Sequence, residues 1–239
     1  MSLELDAVGD YASRAGAAAL GNSYAGSTLV WYRMGDSVAQ REICSIARGL
    51  GAAFFLILNA TTIQLWINAA ARGTWTVSAG TWYGLALSTD ETTDTARGRV
   101  FLENGSEVSP ATGTGSYTPL GAGAQVSSVN LGNQNAYGDS ASGQYRYWKY
   151  WAANLSQAEF AAEAAHIPTS GSPAVRTANL RGSWAVPDGT TTTDWSSGGA
   201  GAITINGGGT SAQEPTIGGG GASVFIPTQY RRTNSLLRM

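Results

Sequence analysis

The chain has 239 residues, enough for one large β-domain or two small ones with a substantial core. Only 13% of them are charged and the formal net charge is -2, so the broad basic surface of a nucleic-acid binder is missing and neutral surfaces are the expected partners. Aromatic residues reach 10% and glycine takes 32 positions, a texture of turn-rich β-structure rather than of helical or disordered chains.

Taken in order, residues 1–26 read as a loosely structured entry with one strand near Leu3 to Val8. The opening MSLELDAVGD is acidic and has no basic region ahead of an apolar core, so no secretory signal is expected. Ser27 to Met34 alternates as a strand, and Arg41 to Ala47, Ala52 to Leu58 and Thr62 to Asn68 follow at the spacing of antiparallel hairpins. Cys44, the single cysteine, excludes an intrachain disulfide and reads as a buried strand residue between Ile43 and Ile46. Ala52 to Leu58 is also the longest apolar run, far short of the ~20 residues of a membrane span, so no membrane insertion is expected.

Thr74 to Ser78 and Thr81 to Ser88 are the next strands, parted by a turn at Ala79-Gly80. The polar stretch Thr89 to Ala96 reads as a loop, and Arg99 to Glu103 as a strand ending at the hairpin signal Asn104-Gly105. A Gly, Ser and Thr-rich meander leads to Val126 to Leu131, and Gly132 to Ser142 is a loop. Trp31, Trp66, Trp82 and Trp148 lie within strand patterns and are expected in the core.

Gly143 to Glu159 organises the rest. Strict alternation puts Tyr145, Tyr147, Lys149 and Trp151 on one face and Arg146, Trp148 and Tyr150 on the other, so both faces are expected to be covered. Ser156 and Glu159 have the spacing of a capping box, with Leu155 and Phe160 placed as a hydrophobic staple. A short helix should follow and end near His166, ahead of Pro168.

Beyond residue 167 the composition shifts. Strands are expected over Leu180 to Val186 and Ala202 to Asn206, within a Gly, Ser and Thr-rich extension over residues 168–226 that packs on a 1–167 core. ITINGGG and PTIGGGG form a weak local repeat. The last stretch, 227–239, carries Tyr230, Arg231, Arg232 and Arg238 and no acidic residue. It takes three of the fourteen basic residues, leaving eleven against sixteen acidic in the body. This basic arm is expected to dock on a neighbouring molecule, in a homo-oligomer or among other proteins of an assembly.

Three pieces, in this order and spacing, carry a family likeness: Gly80-Thr81-Trp82-Tyr83 with Leu85 and Ala86, then Arg99 to Gly105, and Gly143 to Glu159 with its Leu155-Ser156. Together they resemble the concanavalin A-like lectin and glucanase superfamily in its laminin-G-like or pentraxin-like branch, over roughly residues 26–166. The resemblance implies an all-β fold, a jelly-roll sandwich of two antiparallel sheets with one short helix, whereas the Gly-rich extended C-terminal arm after residue 168 has no counterpart in it. It departs from the family at Arg146, where many members have an acidic residue.

On that fold, glycoside hydrolysis needs two carboxylates on one face. Glu4-Leu5-Asp6 lacks the third carboxylate of the glucanase pattern, and Glu91 and Asp94 have the wrong parity, so no enzyme is expected. His166 stands at the helix end without a Gly-x-Ser-x-Gly elbow and reads as a surface residue. Calcium is the one candidate cofactor: lectin-like folds often hold it with loop oxygens, and Asp90, Glu91 and Asp94 offer three carboxylates in one loop, with Asp139 in another. Asp188 and Asp194 read as turn residues. Tyr137 and Trp195, in loops, are the aromatic candidates for ligand binding.

The sequence-level expectation is a non-enzymatic structural or assembly protein with a lectin-like fold, a phage virion component such as a capsid decoration or tail-associated subunit. Its warrant is a fold typical of extracellular proteins without an export signal or disulfide, as for a protein made in a host cytoplasm and released within a virion. The alternative is a carbohydrate-binding lectin module acting in attachment to cell-surface glycans.

Overall fold

A computed structural model describes residues 2–5, 10–35, 41–48, 51–59, 61–68, 70–90, 95–117, 124–132, 143–166, 175–184, 199–206 and 209–211. In chain order the elements are β1 (Ser2–Leu5), β2 (Tyr11–Ala15), β3 (Ala25–Met34), β4 (Arg41–Arg48), β5 (Gly51–Asn59), β6 (Thr62–Ile67), β7 (Ala70–Thr76), β8 (Trp82–Asp90) and β9 (Thr95–Phe101). The short strands β10 (Glu107–Val108), β11 (Thr112–Gly113) and β12 (Ser116–Tyr117) precede β13 (Val126–Gly132), β14 (Gly143–Trp151) and helix α1 (Gln157–Ala164). A single 3-10 turn at Thr177–Asn179 leads into β15 (Leu180–Trp184), and β16 (Thr204–Asn206) and β17 (Gly209–Ser211) complete the series.

These strands form two antiparallel sheets. The first has the order β10-β9-β8-β3-β14-β1-β17, with β12 also on β9 and β15 also on β14; the second runs β11-β7-β6-β5-β4-β13-β2-β16. Their inner faces enclose the main core, in which Val30, Ile46, Phe55, Leu65, Leu85, Val100, Val129 and Trp148 are all fully or almost fully buried. A second apolar cluster lies on the outer face of the first sheet, where α1 covers Leu29, Trp31, Trp82, Ala86, Phe101 and Trp151 with Leu155, Phe160 and Ala164. Burying side chains of this size stabilises by about 1.5–3 kcal/mol each. The two-sided cover explains β8, whose residues from Trp82 to Thr89 are buried without alternation.

The expected strands and the helix are present, with differences at their ends. β7 starts earlier than expected, β8 runs to Asp90, and β9 starts at Thr95, so the polar loop is shorter than its composition implies. The small-residue entry holds β2, because its backbone is recruited between β13 and β16. Likewise β17 forms in glycine-rich sequence by pairing with β1. The first two strands thus pair antiparallel with strands of the extension, one on each sheet, and β15 adds the third strand of the extension by pairing with β14.

Two expectations about side-chain direction are corrected. Arg146 pairs with Trp31 but Lys149 pairs with Leu29, so Tyr147 and Trp148 together oppose one residue. Tyr147 takes a left-handed backbone (φ 50°) at this bulge. The extra residue resets the alternation: Tyr145, Trp148 and Tyr150 share the inner core, while Tyr147 and Trp151 belong to the outer cluster. Trp66 is not a core residue either. Ile63, Leu65 and Ile67 point inward on β6, so Trp66 faces out, half-buried, with its Nε1 donating to Gln64 Oε1 at 2.6 Å. Trp31, Trp82 and Trp148 are buried as expected, and so is Cys44.

Asn104-Gly105 makes the expected tight turn, with Gly105 at φ 80°. A Cβ there would lie 2.8 Å from Ala165 Cβ, so glycine also lets the β9-β10 connection pass under the end of α1.

Candidate functional site

The helix is fixed by local chemistry. Ser156 Oγ accepts from the Glu159 backbone N–H at 3.3 Å, and Glu159 Oε2 accepts from the Ser156 N–H at 2.8 Å, completing the capping box. The preceding residues are tied to β3: Ser27 Oγ donates to Ala153 O at 2.8 Å and accepts from the Leu155 N–H at 2.9 Å. Leu155 and Phe160 are both buried beneath the first turn, as a staple requires. The start of α1 is therefore held in a set position against the outer face of the first sheet.

Beside it runs β9. Ala96 and Val100 point into the main core, which turns Thr95, Arg97 and Arg99 to the outer face. Arg99 Nη1 pairs with Glu107 Oε1 at 2.8 Å, and Gln157 Nε2, on the first helical residue, donates to Glu107 Oε2 at 2.5 Å. On the other flank Arg176 approaches Glu159 as a fork, Nε to Oε1 at 2.5 Å and Nη2 to Oε2 at 3.3 Å. That guanidinium, together with the Ser156 bonds, holds the Glu159 carboxyl down at about 2, and Glu159 in turn raises Arg176.

Between these elements opens a cleft of about 280 Å³ lined by Thr95, Arg97, Asn154, Leu155, Ser156 and Arg176. Asn154 Nδ2 donates to Asp90 Oδ2 at 3.1 Å, joining the cleft to the end of β8. Donors and acceptors stand side by side here: an Asn–Asp pair, an Arg–Glu pair, a threonine hydroxyl and the exposed guanidinium of Arg97.

Of the sequence-level candidates for ligand, metal or arm contacts, Asp90 is the one among the described residues, and it lies half-buried at the edge of this cleft through its bond with Asn154. Glu91, Asp94, Tyr137, Trp195, Tyr230, Arg231, Arg232 and Arg238 lie outside the described residues, as do Asp139, Asp188 and Asp194. Among the described residues no three His, Cys, Asp or Glu side chains come together as a metal site. His166 is half-buried just past the helix, with its backbone N–H on Glu163 O at 3.1 Å. Burial pushes the Cys44 thiol far up, so it is held as an inert neutral group. Arg146 stacks over the Tyr147 ring, 4.7 Å from its centroid.

Sequence reasoning missed Arg97, Asn154 and Arg176. The period-two relation of Thr95, Arg97 and Arg99 was available, and so was the position of Asn154 ahead of the cap. What joins them is the packing of α1 on β9, a tertiary contact.

No family model matches the sequence, and no curated protein matches it. Solved structures do. A native heptameric SAP-like pentraxin from Limulus polyphemus superposes with a TM-score of 0.52 at 13% identity, over 88% of this chain and 95% of the pentraxin. A proposed carbohydrate-binding protein from Bacteroides ovatus gives 0.56 at 14% identity, over 87% of this chain and 58% of that one. A Trypanosoma rangeli sialidase in complex with sialic acid gives 0.50 at 15% identity, over 66% of this chain but only 26% of the enzyme. The fold is an all-β jelly-roll sandwich of antiparallel sheets. At these identities the likeness is one of architecture, and function has to be argued from the site. Among the described residues, no helix is long and apolar enough to cross a membrane.

Proposed function

We propose that this protein is a non-catalytic, lectin-like recognition module that binds carbohydrate in the cleft between β9 and the start of α1. The observation that carries the reading is the state of the carboxylate beside that cleft. A glycosidase needs an acid whose pKa is raised so that it holds a proton near neutrality. Glu159 is held in the opposite sense, at about 2, by a two-pronged Arg176 contact. A carboxylate kept ionised near neutrality next to a guanidinium suits the reception of hydroxyl groups, with acceptor and donor set side by side. The Asn154–Asp90 pair repeats that arrangement on the other wall.

The direct test is a soluble-sugar titration following a glycan array. Reproducible binding that Asn154→Ala and Thr95→Ala weaken, with no turnover of the bound glycan, supports the module. Hydrolysis that survives purification and is lost on replacing a cleft carboxylate overturns it.

A second reading places the module in a phage virion, as a capsid decoration or tail-associated subunit. It is favoured by the place of the last described strand: among the described residues β17 ends the order of its sheet, and the basic stretch 227–239 follows it in sequence. Such a position suits contact with another subunit, and attachment through glycans and assembly through the arm are compatible in one protein.

A further inference from the structure

Three guanidiniums surround the start of α1, and their surroundings differ. Arg99 is matched by Glu107, and Arg176 by Glu159. Arg97 lies between them on the same face of β9, is exposed, lines the cleft, and forms no ion pair among the described residues. The backbone donors of the helix start are already partly taken by Ser156 and Glu159, so the helix end is not the feature at issue. What distinguishes the cleft is that, among the described residues, Arg97 alone of these three guanidiniums forms no ion pair, while the carboxylate at the cleft edge, Asp90, accepts from Asn154.

A guanidinium presents a planar fork that fits a carboxylate with two parallel hydrogen bonds. The cleft wall around Arg97 is not a bare cationic patch: Thr95 and Asn154 supply hydroxyl and amide groups, and Leu155 supplies an apolar floor. Its volume of about 280 Å³ falls just below the roughly 300–1,000 Å³ of pockets that enclose a drug-sized ligand, a size for one ring rather than a chain.

We infer that the cleft selects an acidic sugar, a ring bearing a carboxylate, with Arg97 receiving the carboxylate while Thr95 and Asn154 meet the ring hydroxyls. This rests on the carbohydrate-binding reading above and narrows its ligand class. The carboxylate replaces the missing partner of Arg97, giving the third guanidinium the arrangement that the other two have within the chain.

The test is a calorimetric titration of the full chain with glucuronic acid, glucose and acetate, each at low and at 0.5 M salt. The same titrations are run on Arg97→Gln, an exposed substitution away from both cores. The inference expects glucuronic acid to bind at least tenfold more tightly than glucose, a preference that shrinks with salt and falls to about one in Arg97→Gln, while weak glucose binding persists. Equal binding of the two sugars, or a preference untouched by Arg97→Gln, overturns the acidic selection and leaves the carbohydrate reading standing. Acetate binding as tight as glucuronic acid overturns the sugar requirement. Binding of neither sugar overturns the carbohydrate reading itself, and this inference with it.

Discussion

Lys149, on the outer face of β14, and Glu163, on the inner side of α1, form an ion pair that is almost fully withdrawn from water, with the two residues 3% and 1% exposed. The second carboxylate oxygen of Glu163 accepts the Val175 backbone N–H at 3.2 Å. Burial lowers the Lys149 pKa, against the opposing pull of Glu163, so the ammonium form depends on its partner. The pair ties strand, helix and the chain leading to Arg176 at one point.

Removing one member of such a pair leaves a buried charge, which typically costs about 3–5 kcal/mol. Lys149→Met should therefore lower stability by that order in urea unfolding. Lys149→Met combined with Glu163→Gln should recover most of the loss, because the amide oxygen still accepts the Val175 N–H and no charge remains. Additive losses in the double variant would show that the pair is not coupled.

The helix start makes a pH prediction. The Glu159 carboxyl sits at about 2 against an ordinary 4.5, and Arg176 is the largest cause. A depressed carboxylate contributes stability that is fully present above the ordinary value and is lost as pH falls from about 4.5 towards 2. Thermal melts of Glu159→Gln should thus converge with those of the parent chain across that window, and the gap should be widest near neutrality. A gap independent of pH would remove Glu159 from the acid response. Ser156→Ala should cost about 0.5–2 kcal/mol through the lost cap.

The first residue of β14 gives a packing prediction. A Cβ on Gly143 would stand 2.4 Å from the Tyr32 ring and 2.7 Å from Arg33 O. The ring is itself packed against Tyr145, with centroids 5.0 Å apart, and the carbonyl belongs to the paired strand β3. Gly143→Ala is expected to cost about 1–3 kcal/mol by overpacking, read as a lower urea midpoint. An unchanged midpoint would mean that β3 and β14 separate freely at this end.

Much of this architecture was legible because local rules agree with the tertiary result. The alternation of β3, the Asn104-Gly105 turn, and the Ser156/Glu159 box with its Leu155/Phe160 staple all follow from short-range chemistry. The misses share a different cause. The parity of β14 changes at Tyr147, and nothing in an aromatic run marks a left-handed bulge residue. β2 and β17 consist mostly of small or polar residues and become strands only because β13, β16 and β1 pair with them. Arg97, Asn154 and Arg176 are far apart in sequence and meet through the seating of α1 on β9. The aromatic loop residues Tyr137 and Trp195 drew attention by type alone, whereas the cleft is built from unremarkable polar side chains.

The basic arm supplies a prediction about assembly. Deleting residues 227–239 should leave the sandwich folded, since the described strands end at Ser211, and should weaken self-association or docking. Sedimentation of the truncated chain at several concentrations checks this. Unchanged assembly would sink the role of the arm while leaving the cleft untouched.

The central claim, that sugars are received between β9 and the start of α1, is most directly tested by backbone amide chemical-shift mapping during a glycan titration. The account predicts that the shifted amides cluster at Thr95, Arg97, Asn154, Ser156 and Arg176. Saturable binding with shifts confined to another face of the sandwich, and these residues unmoved, would contradict it.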